Sequence, residues 1–168
     1  LSDGIHFFHL PPVQDFKRVF ENDKGPNTGG MGSILNNFDF LEKNDLDNSK
    51  KLNENILIIM RKKFKIPYIG VLYGSFMKTK YGQIKLIEYN CRFGDSEVFN
   101  LLNSIQTDLS LVFYHMLHSS LNEIQIQIKP IVSIFILMGI IPGMADLINT
   151  LLQGISATLL DMLFLLKG

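Results

Sequence analysis

Two β-rich runs, Pro67 to Met77 and Ile84 to Tyr89, flank the turn signal Tyr81-Gly82, and Asp95-Ser96-Glu97 then supplies an N-cap and an acidic first turn. No other stretch restricts the fold as much. Runs so closely joined pair as an antiparallel hairpin, and the cap starts a helix directly behind it. The apolar positions Val98, Leu101, Leu102, Ile105, Leu109, Val112, Phe113 and Leu117 predict one long helix there.

Around this centre the pattern is mixed. Gly4 to Leu10 reads as a strand ended by Pro11-Pro12, and from Pro11 to about Asn37 the scattered glycines predict a long loop. From Ser49, a candidate cap, Leu52, Ile56, Ile59 and Met60 recur at helical spacing, with Lys62 to Lys65 placing positive charge at the C-terminal end. Ile131 to Ile141 is nearly all apolar, but it is too short to span a bilayer and lies between Pro130 and Pro142-Gly143, so it predicts a buried strand. After Met144 a Leu-rich helical stripe follows, with Asp146, Asp161 and Gln153 favouring a core or interface helix over a membrane one. The expected class is therefore α+β, in mixed α/β layers, with an antiparallel-rich sheet packed with helices. Residues 1–143 form the expected domain and 144–168 an apolar helical tail.

At 168 residues, 46% of them hydrophobic, the chain is long enough for one domain with a core. Sixteen basic residues balance sixteen acidic ones, so no bulk field draws nucleic acid or an anionic membrane, and any anion must be bound locally. The lone Cys91 excludes an intramolecular disulfide and suits a cytoplasmic setting. The first residues carry no secretory signal and no Met, and the chain reads as a piece of something longer.

In LIEYNCRFGD, residues 86–95, every second residue from Glu88 to Arg92 is polar. On a strand Glu88, Asn90 and Arg92 share one face, with Cys91 expected to pack on the other. A carboxylate and an amide oxygen so placed can share one hard divalent cation, and the planar fork of Arg92 suits a phosphate or carboxylate. Asp95 opens a helix whose free N–H groups favour an anion. A solvated strand face is the plainer reading of the same alternation. A second constellation is Asp15, Lys17 and Arg18 followed by Gly25, Pro26, Asn27, Thr28, Gly29 and Gly30, a basic, glycine-rich stretch able to wrap a small charged substrate, or a surface loop only. No Walker motif follows those glycines. His115 and His118, three apart on the expected helix, are commoner as surface or core-edge residues than as metal ligands.

The order PPVQDFKR (11–18), KGPNTGGMG (24–32), PYIGVLYGSFMKT (67–79) and LIEYNCRFGDSE (86–97) resembles phosphoribosylamine-glycine ligase, or glycinamide ribonucleotide synthetase, an ATP-grasp family of de novo purine synthesis. The likeness spans roughly residues 3 to 143. It implies the C-terminal part of an ATP-grasp fold, with ATP, glycine and 5-phosphoribosylamine as substrates and Mg²⁺ or Mn²⁺ as cofactor. It further implies Glu88 and Asn90 as metal ligands, Arg92 and Asp95 as catalytic residues, and Asp15, Lys17, Arg18, Asn27, Thr28, Gly29 and Gly30 as substrate-binding. The family usually has His where Phe16 stands and Pro where Ser96 stands; the latter swap is expected to be mild. It also carries an upstream substrate domain, a nucleotide lid and a further C-terminal domain. The isolated segment is thus expected to be inactive, with the remainder of its own polypeptide as a partner. A truncated, non-catalytic remnant or interaction module is the alternative, and another carboxylate-amine ATP-grasp ligase is a third reading.

Overall fold

The computed structural model describes residues 1–136. In chain order these form β1 (Ser2–Asp3), β2 (Gln14–Phe20), β3 (Lys24–Leu35), α1 (Lys43–Phe64), β4 (Ile69–Gly70), β5 (Tyr73–Lys78) and β6 (Ile84–Asn90). Next come α2 (Glu97–Ser104), α3 (Leu109–Leu117), a 3₁₀ turn at Leu121–Glu123 and β7 (Ser133–Ile136). All strand pairs are antiparallel: β1 with β4, β2 and β7 on either side of β3, and β5 with β6. The mixed α/β class with antiparallel sheets is as expected, and so is the hairpin. The boundary at 143 and the tail from 144 lie outside the described residues, as does the end of the apolar run after Ile136.

Three expectations are corrected. The strand expected over Gly4 to Leu10 is confined to Ser2–Asp3, with one further bridge at Phe7. Its amides are taken by a side chain instead: Asp3 Oδ1 accepts from the N–H of Ile5 at 2.8 Å and of His6 at 2.6 Å. A short acid that captures local N–H groups competes directly with a ladder. The loop expected from Pro11 to Asn37 is largely the β2–β3 hairpin. Its glycines carry no side chain whose alternation could be read, and register shifts near Arg18 break the period further. The single long helix is two, because Ile105 turns extended to pair with Ile128 and Asp108 restarts the chain, accepting from Ser110 N at 2.8 Å.

Helix α1 also begins earlier than Ser49. Asp45 Oδ2 accepts the Glu42 N–H at 2.9 Å, while the Ser49 hydroxyl donates back to Leu46 O. Lys78 ties β5 to this helix start, donating to Phe40 O and to Asp45 Oδ2, each at 2.7 Å. The apolar core is Ile105, Val112, Met116, Leu121 and Ile126, under α3 and the 3₁₀ turn.

Two buried polar knots hold the layers. Asn100, wholly buried on α2, donates from Nδ2 to Ser133 O at 2.7 Å and to Ser33 O at 3.3 Å, and accepts from Ser33 Oγ at 2.5 Å. It fastens α2 to β3 and β7 together, aided by the stacking of Phe99 on Phe135 at 4.4 Å. Asp3, only 1% exposed, also accepts from Leu121 N at 2.9 Å and pairs with His6 Nδ1 at 3.0 Å, through Oδ2.

Burial pushes the Asp3 carboxyl up, but the hydrogen bonds from His6, Leu121 and Ile5 outweigh it and bring the pKa down to about 2. A depressed acid stabilises the fold above its unfolded pKa, and that stability is lost as pH falls towards its folded one. Urea midpoints are therefore expected to drop between about pH 5 and pH 2, by an equivalent of roughly 2 kcal/mol from this group. Asp3→Asn should flatten that part of the profile; an unchanged slope would show that other carboxylates carry it.

Candidate active site

Strand β6 carries the metal-ligand candidates. Pairing sets Ser75 opposite Glu88 and Phe76 opposite Leu86, so Ile87 is the extra residue of a bulge. Beyond it, Glu88 and Asn90 share a face with their cross-strand partners Ser75 and Tyr73. Both side chains meet there, Asn90 Nδ2 lying 3.0 Å from Glu88 Oε1. An amide turned by half a revolution presents Oδ1 instead, and two oxygens about 3 Å apart match neighbouring ligands of an octahedral cation at about 2.1 Å. Among the described residues no group of three or more His, Cys, Asp or Glu converges. A cation here would thus take its other ligands from phosphate and water, as hard Mg²⁺-like ions do.

Arg92 follows the strand end. Its Nη1 donates to Phe93 O at 2.8 Å, and the exposed guanidinium leaves further donors for an anion. Cys91 is exposed rather than packed, because the chain bends at Cys91-Arg92 and leaves the strand.

A second cluster gathers around Gly30. A Cβ built there would stand 3.6 Å from Asp15 Oδ1, 3.8 Å from Ser96 Oγ and 3.9 Å from Asp95 O. Thr28 shapes the approach, accepting from Gly30 N at 3.2 Å and donating to Lys17 O at 2.9 Å. Lys17 Nζ lies 3.4 Å from Asp15 Oδ2. Desolvation raises the Asp15 pKa, and the Glu97 carboxylate raises it further, ahead of the opposing Lys17.

Glu97, 3% exposed in the first turn of α2, receives the Tyr73 hydroxyl at 2.7 Å on Oε1. Burial, then Glu97, holds that phenol far above its usual pKa. Tyr73 thus joins the two clusters, since it faces Asn90 across the hairpin and reaches Glu97 behind it.

Of the residues expected in the site, the structure brings Glu88 and Asn90 together, and separately gathers Asp15, Lys17, Thr28 and Gly30 beside Asp95. Arg18 and Asn27 lie further out. Arg18 is occupied by Gly25 O at 2.7 Å and by Asp23 at 3.9 Å, and Asn27 pairs opposite it. Gly29 has open space around its Cα. His115 and His118 turn to separate partners, Ser120 and the Tyr114 carbonyl. Tyr73, Ser96 and Glu97 are functional candidates that sequence reasoning passed over. Glu97 looked like a dipole-matching acid; its signal was a carboxylate placed where α2 must be buried.

Ser96 brings a surprise. Its φ of 75° lies in the left-handed region, which proline, fixed near −65°, cannot enter. Exchange with proline at this position is therefore not the mild swap that helix preferences suggest.

An antiparallel hairpin ends in a Glu-Asn pair, behind it a helix N-terminus meets a glycine-rich strand, and the comparisons place these elements in an ATP-grasp domain. The phosphoribosylglycinamide synthetase ATP-grasp (A) domain model matches residues 1–98, and the chain belongs to that family. Phosphoribosylamine-glycine ligase of Methanocella arvoryzae is 41% identical over 130 residues, covering 76% of this chain and 30% of that protein. The Methanoregula boonei ligase is 45% identical over 113 residues, covering 66% and 26%. The crystal structure of phosphoribosylamine-glycine ligase from Thermotoga maritima superimposes with a TM-score of 0.60 at 27% identity, over 78% of this chain and 32% of that one. The chain thus spans about a third of the length of the proteins it matches. No helix among the described residues is long and apolar enough to cross a membrane.

Proposed function

We propose that this chain is the metal- and acyl-phosphate-handling segment of a cytoplasmic phosphoribosylamine-glycine ligase. The reaction is ATP + glycine + 5-phosphoribosylamine → glycinamide ribonucleotide + ADP + phosphate. The observation that carries the reading is the family match over residues 1–98, which ends on the Glu88, Asn90 and Arg92 set.

In this scheme the glycine carboxylate attacks the γ-phosphate with loss of ADP, and the amine of phosphoribosylamine then displaces phosphate from the glycyl phosphate. Glu88 and Asn90 would hold Mg²⁺ or Mn²⁺. Such a cation neutralises phosphate charge and orients it for transfer. Arg92 offers its free donors to the oxygens on which charge develops. Asp15, Lys17, Thr28 and Gly30 bound the substrate side beside Asp95, while Arg18, Asn27 and Gly29 form its outer lip.

Glycine- and phosphoribosylamine-dependent ADP release tests the reading in the full-length polypeptide, where both dependences are expected. Release that needs another carboxylate-amine substrate pair would replace it. For the 168-residue chain alone no turnover is expected, because positioning and electrostatic stabilisation fail when part of the cleft is missing.

A further inference from the structure

The sheet of β2, β3 and β7 has two unlike sides. Its cross-strand rows are Phe16–Gly32–Ile136, Asp15–Ser33–Phe135 and Gln14–Ile34–Ile134, and successive rows point to opposite sides. Helix α2 takes the side of the middle row, where Asn100 holds Ser33 and Phe99 stacks on Phe135. The outer side therefore carries Phe16, Ile34, Ile134 and Ile136 and, by the same alternation, Val132. On β7 the order of a half-solvated strand is reversed: Ser133 is buried, while Val132 and Ile134 are 44% and 38% exposed. Phe16, Ile34 and Ile136 are half-buried. A sheet whose second side is this apolar calls for a second layer.

We infer that residues 144–168 of this chain supply that layer, docking as one amphipathic helix on the outer side of the β2–β3–β7 sheet. The segment's pattern fits. Leu147, Leu151, Ile155, Leu159, Met162 and Leu166 recur at three- and four-residue steps, with Asp146, Asn149, Gln153 and Asp161 on the opposite side. One helix also has the right width. Three strands about 4.8 Å apart span about 10 Å, close to the diameter of a helix with its side chains.

The connection selects the chain's own sheet over that of a second copy. Residues 137–146 alone separate Ile136, on the outer side, from Leu147, and a tether this short raises the effective concentration of the helix at the sheet to the order of millimolar. A membrane surface is the poorer match. Helices that lie on anionic lipid carry Lys and Arg along the polar face, whereas the charges of this segment are Asp146, Asp161 and Lys167. Nothing in this docking depends on the ligase chemistry.

Methyl-labelled NMR of the 168-residue chain tests the docking. Nuclear Overhauser contacts are expected from the Ile34 and Ile134 methyls to those of Leu151, Ile155 and Leu159, and in a mixture of differently labelled copies they should stay within one copy. Ile155→Asp should lower amide-exchange protection at Ile34 and Ile134 at least about tenfold, whereas Asp161→Asn, on the polar side, should leave it unchanged. Absent contacts, contacts found only between copies, or undiminished protection in Ile155→Asp would overturn the docking. The wild-type contacts decide even if a variant misfolds. Helical signal from the segment that arises only with phosphatidylglycerol vesicles, without contacts to the sheet, would overturn it in favour of a lipid surface.

Discussion

Glu88→Gln is expected to lower kcat of the full-length ligase by on the order of 100-fold or more, and to leave the thermal midpoint of the protein nearly unchanged. The glutamine keeps the size and can still accept from Asn90, so the 3.0 Å contact is preserved in kind. What disappears is the charge that would anchor a cation. Because Glu88 is exposed and makes no ion pair among the described residues, its loss leaves no buried partner stranded. Titration of Mg²⁺ against kcat should show the deficit partly recovered at high metal concentration. A variant with normal metal dependence would remove Glu88 from the ligand set.

Asn100→Ala carries the other large effect, on stability. The change takes the amide donor from the carbonyls of Ser33 and Ser133 and leaves the Ser33 hydroxyl without its acceptor, all in buried surroundings. At about 1–3 kcal/mol per orphaned group, with a small cavity added, a loss of roughly 3–5 kcal/mol is expected. Urea unfolding with an unchanged slope would measure it. A shift under about 1 kcal/mol would mean that α2 is seated by other contacts. Damage would not stay in the core, because Asn100 stands one turn along α2 from Glu97 and seats the helix that delivers that carboxylate to the site.

The hairpin of β5 and β6 was legible because its side chains alternate and Tyr81-Gly82 marks its turn. Helix α1 was legible in its apolar half only; its first turns, Lys43 to Asn48, are polar but for Leu46 and owe their start to the Asp45 contact with Glu42. Strand β3 was hidden because its conformation is imposed by neighbours on both edges, whereas glycines and Pro26 write only permission into the sequence. The same limit separates the two halves of the candidate site. Glu88 and Asn90 lie two apart on one strand and announce themselves, whereas Asp15, Tyr73 and Glu97 meet only through tertiary packing, which spacing cannot show.

The left-handed turn at Ser96 also bears on how this sequence can drift. A φ of 75° with ψ at −42° costs a non-glycine residue about 1–3 kcal/mol and favours glycine, while proline is shut out. Any lineage with proline at this position must route the backbone between Gly94 and Glu97 differently. The angle at which Glu97 enters the site then becomes an inherited property of the turn, and the two residues have to change together.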